Sequence, residues 1–295
     1  MTKILVTGSN GQLGNELQQL ASTMSGVKFL FTDVDTLDIC NKAAIEGFLA
    51  HQSVDFIINC AAYTAVDNAE DNVESCYAIN RDAVRNLGEV AATIGCKVIH
   101  VSTDYVFNGK AYRPYTEDMQ VAPDTVYGKS KAEGEEELLR VCMDAIILRT
   151  SWLYSSYGNN FVKTMLKLGK ERETLSVIYD QIGTPTYAAD LAKAILEIVH
   201  QTIEDESTFK TGTYHFSNEG VCSWYDFAIA IHHLANITCN VEPIESSAYP
   251  AKAQRPFYSV LNKTKFKTTF HISIAHWHDS LNKCIQLLIS KEFTH

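Results

Sequence analysis

Near the chain's start, Lys3-Ile-Leu-Val-Thr7 runs straight into Gly8-Ser-Asn-Gly11-Gln-Leu-Gly14. The glycines open onto Asn15-Glu-Leu-Gln-Gln-Leu-Ala21, whose apolar spacing is helical. A short, unbroken apolar run that stops at glycine reads as a parallel strand buried on both faces, and such a strand needs helices on either side of its sheet. Glycines there permit a tight turn, admit a pyrophosphate to the backbone N–H groups and let the helix pack on the strand. The spacing is Gly-x-x-Gly-x-x-Gly rather than Gly-x-Gly-x-x-Gly, so the loop alone is also compatible with a plain turn. A second strand, Val27–Thr32, ends at Asp33, nineteen residues beyond Gly14, where a carboxylate would take the adenosine ribose hydroxyls. Asp33 alone reads equally well as a turn residue; loop and carboxylate together favour nucleotide binding.

The alternation continues. A helix is expected over Lys42–His51, a strand over Asp55–Asn59 and a long helix over Val73–Ile94, followed by strands at Lys97–Val101 and Ala145–Arg149. The pattern predicts an α/β fold, a doubly wound parallel sheet of the Rossmann type, over residues 1–150. Residues 151–295 are less regular, with helices expected at Asn160–Arg172, Ala188–His200 and Ser223–Leu234 and strands at Thr174–Ile178 and Lys210–Ser217. They are expected to form a smaller, mainly substrate-binding region over the rim of the sheet, with some segments returning to it.

In Val126-Tyr127-Gly128-Lys129-Ser130-Lys131, a tyrosine and a lysine four residues apart share one helix face. A free phenol titrates near ~10; a neighbouring ammonium lowers that value and makes it a usable proton-transfer group. Alone, Tyr-x-x-x-Lys is a weak signal that reads first as an amphipathic surface helix, well ahead of catalysis. Its place decides: ligands of such sheets bind at the carboxyl ends of the strands, where Ser102 and Thr103, the glycine loop, Tyr127 and Lys131 all fall.

Composition narrows the remaining classes. A net charge of −10 over 295 residues repels nucleic acid and anionic membrane. Eight scattered cysteines without Cys-x-x-Cys suit reduced, mostly buried thiols. A chain entering a strand at once, without a long apolar run, predicts a cytoplasmic protein. His232-His233, His276-Trp-His278 and Glu133-Gly-Glu-Glu-Glu137 read as surface or half-buried positions, not metal sites.

Taken together, Gly8-x-x-Gly11-x-x-Gly14, Asn59-Cys-Ala-Ala62, Ser102-Thr103-Asp104 and Tyr127-x-x-x-Lys131 resemble the extended short-chain dehydrogenase/reductase family. Within it the chain resembles, nearly end to end, the branch that reduces dTDP-bound 4-keto-6-deoxysugars. Ala61–Asp67, Ser102–Gly109, Arg149–Tyr154, Gly158–Phe161, Asp180–Pro185 and Arg255-Pro256 carry that closer likeness. Asn68 and Asn108 depart from it, where lysine and aspartate are usual.

The resemblance implies NADPH- or NADH-dependent reduction of the C4 carbonyl of dTDP-4-dehydro-6-deoxy-L-mannose, with Tyr127 as proton donor, Lys131 holding the nicotinamide ribose and Thr103 polarising the carbonyl. It places the cofactor on Gly8, Gly11, Gln12, Leu13 and Gly14, then on Asp33, Asp38 and Ile39. Ala61, Ala62, Tyr63 and Ser102 complete that surface beside Tyr127 and Lys131. The dTDP-sugar would meet Thr103, Asp104, Tyr105, Trp152 and Asn160, with Arg255 at its diphosphate. A homodimer and Mg2+ are implied by the family alone; Glu16 and Asp190 are metal candidates that no spacing identifies. The related 4,6-dehydratases carry Asp-Glu after the threonine, and Tyr105 in place of that glutamate favours simple reduction. Two alternatives stay open: a related dehydratase or epimerase, and a non-catalytic regulatory subunit of the methionine adenosyltransferase type.

Overall fold

Six parallel strands form the central sheet of this computed structural model, which describes residues 1–292. In chain order the elements begin β1 (Thr2–Thr7), α1 (Gln12–Ala21), β2 (Val27–Phe31), α2 (Lys42–Leu49), β3 (Phe56–Asn59), α3 (Val66–Ala69), α4 (Val73–Tyr77), α5 (Ala83–Ile94) and β4 (Lys97–Thr103). There follow α6 (Val126–Val141), β5 (Ala145–Thr150), β6 (Leu153–Tyr154), α7 (Phe161–Glu171), β7 (Thr174–Ile178), β8 (Ile182–Gly183), β9 (Thr186–Tyr187) and α8 (Ala188–Glu204). The last are β10 (Gly212–His215), β11 (Cys222–Ser223), α9 (Trp224–Leu234), β12 (Asn240–Ile244), α10 (Thr264–Phe270) and α11 (Trp277–Glu292).

The sheet order is β2-β1-β3-β4-β5-β10, parallel throughout. From β1 the chain moves outward to β2 and then returns to the other side of β1 at β3. That reversal opens a crevice between the carboxyl ends of β1 and β3. Side-chain alternation supplies both layers. Ile4, Val6, Ile58, Ile99 and Leu148 pack with Leu13 and Leu17 of α1, Leu191 and Ile195 of α8, and Phe266 and Phe270 of α10. Leu5, Ile57, Val98 and Ile147 face the opposite way, onto Ile45 of α2, Val84 and Leu87 of α5, and Leu138 of α6. A separate cluster joins α7, α9 and α11 with β7 and β12.

Three expectations are corrected. The helix over Val73–Ile94 contains a π-helical turn at Ala78–Asp82 between α4 and α5. The strand within Lys210–Ser217 is only Gly212–His215 and lies at the edge of the main sheet, beside β5. Strand β12 and helices α10 and α11 are additional to the elements expected. Ser223 caps α9 as expected, in a reciprocal capping box with Asp226.

Candidate active site

The glycine loop is built for close approach. Gly8 has φ +64°, and a Cβ there would lie 2.6 Å from Cα of Ala61. Only glycine lets the turns after β1 and β3 touch in the crevice. Helix α1 then begins with no side-chain cap and no acidic residue in its first turn. That leaves an end whose N–H groups and dipole suit an anion, with Gln12, Leu13 and Gly14 in the first turn. Asp33 stands beside the loop, its Oδ2 accepting the Asn10 N–H at 2.8 Å. Asp38 is exposed and turns the chain by accepting the Cys40 N–H at 2.9 Å. Ile39 is buried in the core cluster against which Ala61 packs. Ala62 and Tyr63 are half-buried. Tyr63 is clamped by Asn80, whose amide accepts its N–H at 2.9 Å and donates to its carbonyl at 3.0 Å.

Thr103 ends β4, with Ser102 buried before it. The Thr103 hydroxyl donates to Asp104 Oδ1 at 3.0 Å and accepts the Tyr105 N–H at 3.2 Å. Helix α6 starts at Val126 because Thr125 accepts the Gly128 N–H at 3.0 Å. A Cβ on Gly128 would lie 2.3 Å from the Tyr105 carbonyl oxygen. This glycine therefore lets the helix press Tyr127 against the Thr103-Asp104-Tyr105 turn. The rings of Tyr105 and Tyr127 meet edge to face at 5.4 Å.

Electrostatically the site is dry. Burial pushes the Tyr127 phenol up, opposed in part by hydrogen bonding to Thr103. Burial also raises the Asp104 carboxyl to about 7 despite its bond from Thr103, and lowers the Lys131 ammonium to about 8. The expectation that Lys131 lowers the Tyr127 value is not met, because desolvation dominates. Lys131 Nζ is instead engaged with the Val101 carbonyl at 2.7 Å and with His100 Nε2 at 3.3 Å.

Arg255 is not a bare cation awaiting a diphosphate. Its guanidinium donates to Asp67 Oδ2 at 2.6 Å and to the Tyr105 hydroxyl at 3.1 Å, tying the 253–257 loop to the turn beside Tyr127. Trp152 has φ +48°, an uncommon conformation for a bulky residue. Its indole stacks on Trp224 with centroids 3.6 Å apart. Asn160 caps α7 by accepting the Lys163 N–H, and donates to Gln12 Oε1 at 3.0 Å. So the structure brings together Thr103, Asp104, Tyr105 and Tyr127, links Arg255 to them through Tyr105, and joins Asn160 to the glycine loop; Trp152 is committed to its stack. Sequence reading quotes Asn59 only within the family motif and misses Asn80 and His100; these three hold this site from beneath, and a polar residue inside an apolar strand is the one signal that points to Asn59 and His100.

Both metal candidates are engaged in hydrogen bonds within the chain. Glu16 accepts from the Ser155 hydroxyl at 2.6 Å, and Asp190 is held by Asn218 at 2.7 Å and by Ser280. Among the described residues no group of three or more His, Cys, Asp or Glu could hold a metal ion. His232 is buried against the Met165 carbonyl at 3.0 Å.

A doubly wound sheet, a glycine loop at its switch point and a Tyr-x-x-x-Lys helix beside a strand-end threonine define a short-chain dehydrogenase/reductase-type oxidoreductase. The chain belongs to the family whose model is described as the RmlD substrate binding domain, matching residues 1–290. It is 44% identical over 288 residues to a dTDP-4-dehydrorhamnose reductase of Aggregatibacter actinomycetemcomitans, covering 95% of this chain and 97% of that one. It is 39% identical to a spore coat polysaccharide biosynthesis protein of Bacillus subtilis (strain 168), covering 97% and 98%. The crystal structure of a dTDP-4-dehydrorhamnose reductase from Bacillus anthracis in complex with NADP superposes with a TM-score of 0.92 at 39% identity, covering 97% of this chain and all of that one.

Proposed function

We propose that this chain reduces the C4 carbonyl of dTDP-4-dehydro-6-deoxy-L-mannose with NADPH or NADH, giving dTDP-L-rhamnose. The observation that carries the reading is the hydrogen bond between the side chains of Thr103 and Tyr127, at the same carboxyl rim of the parallel sheet as the glycine loop. The glycine loop would hold the pyrophosphate of a reduced nicotinamide cofactor, which would supply the hydride for C4. Thr103 polarises the carbonyl oxygen, and Tyr127 gives that oxygen its proton. Burial keeps Tyr127 protonated, the form that a reduction consumes. A preorganised donor of this kind is typically worth ~3 kcal/mol of barrier. Tyr105, where the dehydratases carry a glutamate, supports reduction over elimination of water.

Support for the sugar nucleotide comes from the relatives' names, and for the cofactor from the NADP complex of one of them. The reading extends to a cytoplasmic homodimer, for which light scattering is the check. Among the described residues no helix is long and apolar enough to cross a membrane.

The test follows the absorbance of NADH and then NADPH on adding the 4-keto sugar nucleotide from a coupled reaction. Stoichiometric loss is expected, and Tyr127→Phe should lose turnover by at least ~100-fold while still binding cofactor. Cofactor bound without turnover would favour a regulatory subunit. Tightly held, recycled NAD+ would favour a dehydratase or epimerase.

A further inference from the structure

Beneath the rim runs a buried polar chain that reaches Lys131 through two residues, Asn59 and His100, to which the proposed reaction gives no role. Asn59, His100 and Lys131 are each about 1% exposed or less. Asn59 Oδ1 accepts the Thr7 hydroxyl at 2.7 Å and the Ala61 backbone N–H at 3.1 Å. Asn59 Nδ2 lies 3.0 Å from His100 Nδ1, and His100 Nε2 lies 3.3 Å from Lys131 Nζ.

These contacts permit one arrangement of hydrogens. A backbone N–H can only donate, so the Asn59 atom facing Ala61 must be its oxygen, and its NH2 must face the imidazole. His100 Nδ1 is therefore bare and accepts. Burial keeps the ring neutral, so its single hydrogen sits on Nε2 and points at Lys131. A neutral Lys131 amine satisfies every partner: its lone pair accepts from His100, and one N–H donates to the Val101 carbonyl at 2.7 Å. An ammonium would instead set its own N–H against that of His100.

Among the other groups facing Lys131, the Glu135 carboxylate favours the ammonium. Glu135, one turn along α6, is bonded by Arg149 of β5 at 2.6 Å. Burial raises the thiols of Cys60, after β3, and Cys76, on α4, the former to about 12, so both are uncharged. Tyr127, one turn back on α6, is held protonated.

We propose that His100, in the tautomer with its hydrogen on Nε2, is a positioning residue that turns Lys131 from a permanent ammonium into a readily discharged proton donor. In the reaction proposed above, on which this role rests, a Lys131 that discharges readily sets the alkaline limit of turnover.

The primary test is long-range 1H–15N correlation on the 15N-histidine-labelled full chain, with His100 assigned through its backbone. A protonated Nε2 and a bare Nδ1 are expected; hydrogen on Nδ1, or a charged ring at neutral pH, overturns the proposal. The second follows the 13Cε signal of Lys131 against pH, assigned by its loss in Lys131→Met. His100→Leu should move that titration up by about one pH unit, a tenfold change in the amine–ammonium ratio. His100→Gln, whose carbonyl can serve Asn59 while its amide faces Lys131, should leave it in place. An unmoved titration in His100→Leu contradicts the proposal. The alkaline limb of kcat should follow the same order, whereas a merely structural role would lower kcat equally at every pH. The NMR readouts need no turnover, so a chain that passes both yet reduces nothing contradicts the proposed function and leaves the tautomer assignment standing.

Discussion

Tyr127 keeps its proton because α6 buries it against Tyr105, and the same dryness acts on its neighbour Asp104, whose carboxyl rises from 3.8 to about 7. Between those values the folded chain holds a proton that the unfolded chain has released. Stability therefore falls as pH rises from about 4 to about 7, and the loss is complete above that. The separation corresponds to about 4 kcal/mol. Asp104→Asn, which never ionises, is predicted to gain roughly 2–3 kcal/mol on the parent between about pH 5 and about pH 8 by the same linkage. Urea unfolding at the two pH values measures this, and a difference that does not grow with pH contradicts it. At this scale Tyr127, Lys131 and Thr103 are legible in the sequence because their types and spacing state a chemistry. The roles of Asn59, Asn80 and His100 are not. Their partners lie tens of residues away, as with His100 and Asn59 at 41 residues' separation, and only folding brings them together. The Lys131 effect on Tyr127 is misread from sequence for a related reason: spacing shows that two residues share a helix face, not where the lysine's head group finds its acceptors.

Among the elements, α6 does most to assemble the site, and its approach depends on Gly128. Alanine would ordinarily favour a helix by ~1 kcal/mol over glycine. Here its Cβ would stand 2.3 Å from backbone oxygen, which cannot yield as a flexible side chain does. Gly128→Ala is predicted to cost ~1–3 kcal/mol of stability and to lower kcat more than it raises KM. Thermal unfolding and steady-state kinetics test both, and an unchanged melting point with unchanged kcat contradicts the packing argument. Just across from α6, the π-helical turn carries Asn80, which clamps Tyr63 and also donates to Ser130 of α6 at 3.0 Å. Periodicity merges α4, this turn and α5 into one helix because the apolar face continues through it. Helix α11 escapes sequence reading because its start, His276-Trp-His278, looks like a histidine cluster, and β12 because Pro243 and alternating polar residues weaken its strand pattern.

At the scale of the whole molecule, the glycine loop is where the two halves of the chain meet, Gln12 being held by Asn160. Doubly wound order is readable from strand–helix alternation, since strands buried on both faces are continuously apolar. The edge position of β10 is not, since a four-residue strand does not name its partner. Cofactor choice also belongs here. Asp33 fixes the loop through Asn10, and its charge opposes a 2′-phosphate. Asp33→Ala is predicted to shift the ratio of kcat/KM values toward NADPH by about tenfold or more, equivalent to ~1.4 kcal/mol; an unchanged ratio contradicts that role.

The most direct measurement is label transfer. The chain is incubated with the 4-keto sugar nucleotide and reduced cofactor carrying deuterium at the nicotinamide C4 position, and the product is examined by NMR and mass spectrometry. Predicted is a dTDP-6-deoxysugar with one deuterium, bound to sugar C4, at one label per cofactor oxidised, and none from Tyr127→Phe. Deuterium elsewhere in the sugar, or a product formed without net oxidation of the cofactor, would contradict a simple C4 reduction at this site.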